Sequence, residues 1–183
     1  MPSSSVRQAR LQDAADIFEL VNSLSGDGTL LRRQYAEICE NIRDFHVAHS
    51  EGGIFLGCGA LHLYGPHLAE VRSIVVKPEA KGQGAGGKLL RALLHEAEDQ
   101  GVVSVCLFTR IPDFFFHFGF RVAERTALPD KIYKDCQKCP RLHACDEVAM
   151  LRGPVPRVAV LGPAKIKQPE LVPLQIAFTG ADH

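Results

Sequence analysis

A glycine-rich loop between an apolar strand and an amphipathic helix is the strongest chemical signal in this sequence. It runs KGQGAGG from Lys81 to Gly87, after a turn at Pro78. Its glycines allow the backbone to approach a ligand closely and to turn several N–H groups the same way. The following helix adds unpaired N–H groups and a partial positive charge. The loop therefore predicts a cradle for a phosphate or pyrophosphate group.

Three glycine-loop patterns compete for this segment. A Walker loop ends in Gly-Lys-Ser/Thr, and Gly87-Lys88-Leu89 lacks the hydroxyl that would hold magnesium. A dinucleotide-binding loop needs an acidic residue near the end of the next strand, whereas Glu98 and Asp99 fall inside the predicted helix. The third pattern, Arg/Gln-x-x-Gly-x-Gly/Ala after a strand, is met from Lys81 to Gly86, except that Lys stands first. A turn that binds nothing is the simplest alternative.

With its flanking elements, this third pattern resembles the GNAT acetyltransferase superfamily, over about residues 6–151. The resemblance implies that the loop holds the pyrophosphate of the cosubstrate acetyl-coenzyme A (acetyl-CoA). Because backbone N–H groups make most of the contacts with the pyrophosphate, we expect Lys81 to change the affinity for the ligand more than the identity of the ligand that binds. The CoA-binding residues that the resemblance implies are Ile74, Val75, Val76, Lys81, Gly82, Gln83, Gly84, Ala85, Gly86, Gly87 and Phe115.

Composition limits the classes of function. The 183 residues are 46% hydrophobic, which fits one domain with a substantial core. Basic and acidic residues both number 21, so no basic excess indicates a nucleic-acid partner. No apolar run approaches the roughly 20 residues of a membrane span, and the N-terminus lacks a hydrophobic signal core. We expect a cytoplasmic protein without membrane partners, whose cysteines are thiols or metal ligands.

Hydrophobic periodicity predicts alternating short strands and helices. The expected strands are Val6–Ala9, Phe45–His49, Ile54–Tyr64, Ala69–Val76, Val102–Thr109, one after Gly119-Phe120, and Glu147–Leu151. The expected helices are one after Asp13, then Arg33–Glu40, Gly84–Gln100 and Pro112–His117. This order predicts an α+β fold with a mixed, mostly antiparallel sheet flanked by helices. The GNAT resemblance implies that the two central strands splay apart.

The end of the chain differs in composition from the rest. From Gly153 onward it contains five prolines, which predicts an extended tail with one strand candidate at Val158–Leu161. We therefore divide the chain into an acetyltransferase domain, residues 1–152, and a Pro-rich tail, residues 153–183. Exposed sheet edges and the tail make a homodimer plausible.

Acetyl transfer to an amine needs a base for the amine proton, stabilisation of the thioester oxygen and departure of the thiolate. Glu70 lies on the strand before the loop, eleven residues before Lys81, an offset at which several GNAT enzymes carry a base carboxylate. The resemblance thus implies that Glu70 is the base, acting directly or through water. A surface carboxylate paired with Arg72 is the competing interpretation.

The group that would protonate the thiolate departs from the family pattern. Many GNAT enzymes use a Tyr in the helix before a Gly-Phe pair, and Phe115 stands at that position. Thr109 and His117 are candidate substitutes. A thiolate whose thiol has a pKa near about 8.5 can also leave unprotonated.

Four further motifs narrow the resemblance to short, single-domain bacterial N-acetylglutamate synthases. They are ENIRDF from Glu40, GCGALH from Gly57, EVRSI from Glu70 and LPDKIY from Leu128. The resemblance implies transfer of an acetyl group to the α-amino group of L-glutamate, the first step of arginine biosynthesis. Two alternatives remain: a GNAT enzyme for another amine (another amino acid, a polyamine or a protein N-terminus), and a non-catalytic acyl-CoA sensor.

A glutamate pocket needs at least two cationic anchors for two carboxylates, and arginine can hold a carboxylate through two parallel hydrogen bonds. The candidates are Arg72, Arg110, Lys131 and Arg33, of which Arg72 and Arg110 are the preferred pair. For each of them, a salt-bridged or solvated surface residue is the competing interpretation.

A cysteine cluster is the second unusual feature. Cys136-x-x-Cys139, His143 and Cys145 would satisfy a tetrahedral zinc ion. The tight spacing is unlike two clean Cys pairs, so an iron–sulfur site or free thiols stay open. Two other cysteines, Cys58 and Cys106, fall in apolar strands and are expected to be small core residues.

Overall fold

Short runs of β-branched and apolar residues, separated by glycine and proline turns, build the central sheet. The computed structural model describes residues 4–25, 32–139 and 142–156. The strands are β1 (Ser4–Gln8), β2 (Phe45–Ser50), β3 (Phe55–Gly65), β4 (Leu68–Val76), β5 (Val105–Thr109), β6 (Arg121–Val122) and β7 (Val148–Arg152). The helices are α1 (Ala14–Ser23), α2 (Tyr35–Glu40), α3 (Ala85–Asp99), α4 (Pro112–Phe116) and α5 (Pro129–Lys134). The predicted strand at Val158–Leu161 lies outside the described residues.

The seven strands form one sheet in the order β1-β2-β3-β4-β5-β7-β6. Neighbouring strands run antiparallel except β4 and β5, which are parallel. In this parallel pair, Ala69 pairs with Val105 and Glu70 pairs with Cys106. Beyond these two pairs, β4 continues beside β3 and β5 continues beside β7. The predicted α+β mixed sheet, splayed between its central strands, is confirmed.

Helix α3 covers one face of this sheet. Its apolar positions recur at helical spacing, and Leu90 and Leu93 pack against Ala69 and Val71 of β4. Because side chains alternate along a strand, Glu70 and Arg72 must lie on the opposite face. That face is occupied by Leu68 of β4 in a smaller apolar cluster with Leu128 and Leu151.

Helix α5 is an element that periodicity does not predict. It has six residues, begins with Pro129 and buries none of its own side chains fully, so it carries no apolar repeat. The fully buried Leu128, just before it, anchors its start. Lys131 and Asp135 are four residues apart and bond to each other across the helix end. This helix lies over the Glu70 face of the sheet.

In the described residues, no helix has the length and apolar character that crossing a bilayer requires.

Gly57 marks the closest backbone approach between β3 and β4. A Cβ at this position would lie 2.4 Å from the Val75 carbonyl oxygen and 2.8 Å from the Val76 Cα. Both are backbone atoms, so the strand pair would have to move. Gly57→Ala is therefore expected to lower the free energy of unfolding by about 2 kcal/mol, measured by urea denaturation.

Gly52→Ala is the matched control, because its nearest neighbour would be the Ser50 hydroxyl at 3.8 Å. Equal stability of the two variants would contradict this account of the β3–β4 contact.

Candidate active site

The splay between β4 and β5 opens a pocket of about 620 Å³. It is bounded by the C-terminal half of β4, the glycine-rich loop, the start of α3, and α4. Its lining residues are Leu24, Ile74, Val75, Val76, Ala80, Lys81, Gly82, Gly84, Ala85, Gly86, Gly87, Ile111, Phe114 and Phe115. All the predicted CoA-binding residues are among them except Gln83, whose side-chain amide donates to the Glu79 carbonyl 2.6 Å away.

The loop backbone has the conformation that an anion cradle requires. Gly82 and Gly84 have φ of +76° and +82°, which L side chains rarely adopt. In the described chain, the N–H groups of Gly82, Gly84, Gly86 and Gly87 donate to no backbone acceptor. They lie at or just before the N-terminus of α3, where the helix dipole also favours negative charge. The residues present therefore fit a pyrophosphate.

Aromatic side chains form the other wall of the pocket. Phe115, at the position where the family pattern has Tyr, is 2% exposed, and its ring lies 4.9 Å from that of Phe114. Of the two predicted substitutes, His117 is exposed and Thr109 is buried. The Thr109 hydroxyl oxygen accepts a hydrogen bond from the Ile111 N–H at 3.0 Å, which leaves its own O–H as a donor.

Glu70 is 2% exposed, at the last residue pair that joins β4 to β5. Its Oε1 is 2.7 Å from the Lys131 ammonium, and its Oε2 accepts a hydrogen bond of 2.8 Å from the Tyr64 hydroxyl. The competing interpretation, a surface carboxylate paired with Arg72, is therefore wrong. Alternation along β4 does put Arg72 on the same face, but α5 supplies the cation that reaches Glu70.

The protonation states of this cluster follow from its charges. Burial lowers the pKa of Lys131, but the carboxylates of Glu70 and Asp135 outweigh it, so the net pKa lies above its ordinary value. Burial raises the pKa of Asp135, but Lys131 and Arg72 reverse this, so the net pKa is lowered. Burial and the Glu70 carboxylate raise the pKa of Tyr64 far above its usual range. Tyr64 is therefore a donor at neutral pH.

The predicted substrate anchors fall into two groups. The first group lies at β4. Arg33 Nε donates to the hydroxyl of Ser73 on β4 at 3.0 Å. Arg72 is itself on β4, and its Nη2 lies 3.0 Å from Nδ1 of His62 on β3. Lys131 is already paired with Glu70. Arg110 bonds instead to Asp146 at 2.9 Å, on the loop before β7. Arg72 and Arg110, the preferred pair, therefore contact different residues, His62 and Asp146. Arg33 is a further cation that bonds to a residue of β4.

Ser73 is the backbone irregularity that turns β4 toward the pocket. Its φ is +52°, in the left-handed region that non-glycine residues rarely adopt. The β3–β4 register shifts here, because Cys58 pairs with Val75 whereas Ala60 pairs with Arg72. The bulge places one extra β4 residue opposite β3, immediately before the segment that lines the pocket.

Sequence reasoning missed the residues that surround Glu70. Tyr64 and His62 of β3 share a face by strict alternation, and this was the available signal. Asp135 and Lys134 follow from α5, which had no periodic signal of its own. The i, i+4 spacing of Lys131 and Asp135 was the one local hint.

The cysteine cluster does not form the predicted zinc site. All four predicted ligands are described, yet within the described residues no group of three or more His, Cys, Asp or Glu side chains is arranged to hold a metal ion. The Cys145 sulfur instead accepts a hydrogen bond of 3.2 Å from the Arg125 guanidinium, and His143 is exposed. The other two predicted ligands are Cys136 and Cys139.

The remaining predicted core cysteines, Cys58 and Cys106, are both fully buried, as expected. Burial raises the pKa of the Cys58 thiol to about 12 and raises that of Cys106 as well.

Comparison with known proteins agrees with this geometry. Residues 41–122, which include β4 and the glycine-rich loop, match the model of the acetyltransferase (GNAT) domain. An uncharacterized N-acetyltransferase of Chlorobaculum tepidum is 38% identical over 147 residues, which cover 80% of this chain and 94% of the relative. The chain belongs to the GNAT acetyltransferase family.

More distant relatives have a named reaction class. An amino-acid acetyltransferase of Mycobacterium tuberculosis is 32% identical over 132 residues, 71% of this GNAT chain and 75% of the relative. An amino-acid acetyltransferase of Ralstonia nicotianae is 33% identical over 127 residues, but the match spans 28% of that longer protein.

Solved structures show the same fold. A Mycobacterium tuberculosis protein in complex with CoA and NLQ superimposes with a TM-score of 0.71 at 27% identity, over 82% of this chain and 99% of that one. N-acetylglutamate synthase of Neisseria gonorrhoeae, complexed with coenzyme A and N-acetyl-glutamate, gives a TM-score of 0.74 at 24% identity, over 86% of this chain and 36% of that one. At that identity the likeness concerns the fold alone.

Removing Lys131 should leave the buried Glu70 carboxylate without a counter-ion. Lys131→Met is expected to lower the free energy of unfolding by about 3 kcal/mol. In the double variant Lys131→Met/Glu70→Gln the additional loss should be small, giving a coupling energy of about 1–3 kcal/mol in a double-mutant cycle. Additive effects of the two substitutions would show that the ion pair contributes nothing.

Asp135 should make the free energy of unfolding depend on pH in the acidic range. Because its folded-state pKa is lowered, its contribution is present above the unfolded-state pKa of about 3.9 and is lost as the pH falls through the folded-state value. The difference in unfolding free energy between the native chain and Asp135→Asn should therefore be largest near neutral pH and shrink below about pH 4. A difference that is constant with pH would contradict the assigned charge pairing.

Proposed function

We propose that this GNAT acetyltransferase transfers the acetyl group of acetyl-CoA to the α-amino group of L-glutamate, a reaction suited to the first step of arginine biosynthesis. The observation that carries the proposal is the position of Glu70. This carboxylate is buried where β4 and β5 part, four residues before Ile74 enters the CoA pocket. The named reaction class of the Mycobacterium tuberculosis relative supports an amino acid as acceptor.

In this proposal acetyl-CoA lies along the splay pocket. The N–H groups from Gly82 to Gly87 bind its pyrophosphate. Beyond Glu70, no strand of the described residues pairs with the edge of β4 that faces β5, so its backbone groups can bond to the pantetheine arm. Phe114 and Phe115 supply the apolar wall that excludes water from the thioester.

The chemistry then needs one base and one departing thiolate. The substrate amine gives a proton to Glu70, directly or through a water, and attacks the thioester carbonyl carbon. The new N–C bond forms as the C–S bond breaks, which yields the amide and the CoA thiolate. Lys131 and Tyr64 donate to Glu70, but a carboxylate has about four lone-pair positions, so acceptor capacity remains. Thr109 O–H is the proposed donor to the thiolate.

Glutamate is the proposed acceptor because cations border the Glu70 face. Arg72 lies on β4 beside His62, and Arg33, which precedes α2, donates to Ser73, the next residue of β4. Arg33 already pairs with Glu37 and Arg72 lies 3.9 Å from Asp135, but each guanidinium has five N–H donors and can bind a further carboxylate. An acceptor such as a polyamine would instead bring further positive charge to them.

The direct test is CoA release from acetyl-CoA in the presence of L-glutamate, compared with other amino acids, polyamines and peptides. We expect the highest kcat/KM with L-glutamate. A clear preference for another amine would retain the fold and the pocket but overturn the acceptor. Bound CoA with no turnover on any amine would instead favour a sensor.

Glu70→Gln tests the assigned base. Its kcat should fall by about 10²- to 10⁴-fold, the usual contribution of a general base, while the KM for acetyl-CoA changes little. Glu98→Gln is the control, because Glu98 is exposed on α3 and bonds to Arg152. A kcat equal to that of the control would exclude Glu70 as the base.

A further inference from the structure

The imidazole of His62 lies between two cationic side chains. Its Nδ1 is 3.0 Å from Arg72 Nη2, and its Nε2 is 2.7 Å from Lys134 Nζ. Guanidinium and ammonium groups donate hydrogen bonds but accept none, and a neutral imidazole accepts at one nitrogen and donates at the other. In either tautomer, one of the two cations therefore faces an N–H donor.

The neighbouring carboxylates do not resolve this conflict. With the proton on Nδ1, the ring can donate to Asp44 Oδ2 at 3.5 Å, but Arg72 then faces the N–H. With the proton on Nε2, Lys134 faces it, and in the described part of the chain no carboxylate pairs with Lys134. Asp135, the next residue, bonds to Lys131 instead. The cluster lacks one hydrogen-bond acceptor.

Partial burial makes that lack costly. The side chains of His62 and Arg72 are 13% and 15% exposed, whereas Lys134 is exposed, so water reaches the outer cation but has little access to the two inner groups. Positively charged donors grouped in this way favour an acceptor that carries negative charge. An anionic group between the cations would supply it.

We propose that His62, Arg72 and Lys134 bind the side-chain carboxylate of the acceptor amino acid. This inference rests on the proposed function and narrows its acceptor to amino acids with an anionic side chain. It assigns His62, the last residue of the GCGALH motif, and Lys134 as residues that determine specificity.

The position of Lys134 indicates which substrate carboxylate it meets. The α-carboxylate stays next to the amine, and therefore next to the CoA pocket, where Arg33 and Ser73 lie close to Ile74. Lys134 lines a separate groove of about 520 Å³ under α5, with Tyr64 and Tyr133. This groove shares no lining residue with the CoA pocket, which fits contact between Lys134 and the end of the substrate away from the amine.

The test compares L-glutamate with L-glutamine, which has the same length but a neutral side chain. In Lys134→Met and His62→Phe, the KM for L-glutamate should rise about tenfold or more, as expected when a charge-assisted hydrogen bond is removed. The KM for acetyl-CoA should stay within about twofold, and the preference for glutamate over glutamine should fall by the same factor as the glutamate kcat/KM. Phe retains the edge-to-face contact of position 62 with Tyr64.

Arg121→Met is the control for loss of one positive charge, because Arg121 is exposed on the edge strand β6. Its KM for glutamate should equal that of the native chain. Unchanged glutamate KM in both folded site variants, with native thermal unfolding midpoints, would overturn the assignment.

A binding measurement separates this inference from the proposed function. Glutarate, which has two carboxylates and no amine, is titrated calorimetrically into the native chain and Lys134→Met. Binding that is lost in Lys134→Met supports the carboxylate site, even if L-glutamate proves not to be acetylated. Equal binding to both proteins, or no binding to the native chain, overturns the site even if glutamate turnover is observed.

Discussion

The separation of β4 from β5 is the constraint on which the rest of this structure depends. The two parallel strands share two residue pairs, and each then follows its antiparallel partner, β3 or β7. The Ser73 bulge reinforces this change of direction. Without the separation there would be no pocket between the sheet and α4. The N–H groups of the glycine-rich loop would then not open onto a pocket that can hold the rest of a ligand. The carboxylate at the point of divergence would be an ordinary buried charge.

A buried charge at such a point needs local compensation, and α5 provides it. Lys131 and Tyr64 satisfy the two oxygens of Glu70, and Asp135 and Arg72 balance Lys131 in turn. Isolated ionised groups are costly in an interior, whereas a connected set of donors and acceptors is tolerated. A six-residue helix therefore holds this charge in place, and the same helix brings a further cation, Lys134, to His62 on the same face of the sheet.

Much of this arrangement could be predicted from the sequence, for identifiable reasons. The strands and α3 follow from periods of two and 3.6 residues, and the glycine-rich loop follows from glycines between a strand and a helix. The residues predicted to bind CoA line the pocket, except Gln83, which turns back to the Glu79 carbonyl. The environment of Glu70 was not predicted because it depends on α5, a helix too short to show periodicity. The zinc prediction rested on spacing along the sequence, which does not show how side chains are arranged in space; in the described residues the four predicted ligands are not arranged to hold a metal ion, and Cys145 bonds to Arg125.

The way α5 is attached has a thermodynamic consequence. None of its residues is fully buried, and its side chains reach the sheet mainly through polar contacts: those of Lys131 with Glu70, of Lys134 with His62, and of Asp130 with His67 in the β3–β4 turn. Heat capacity changes on opening scale with the apolar surface exposed. Detachment of this helix would therefore leave little trace in a calorimetric scan, although it would uncover the backbone amides of Lys131 to Asp135 to hydrogen exchange. Such an opening would change the charges around Glu70 while the sheet stays folded.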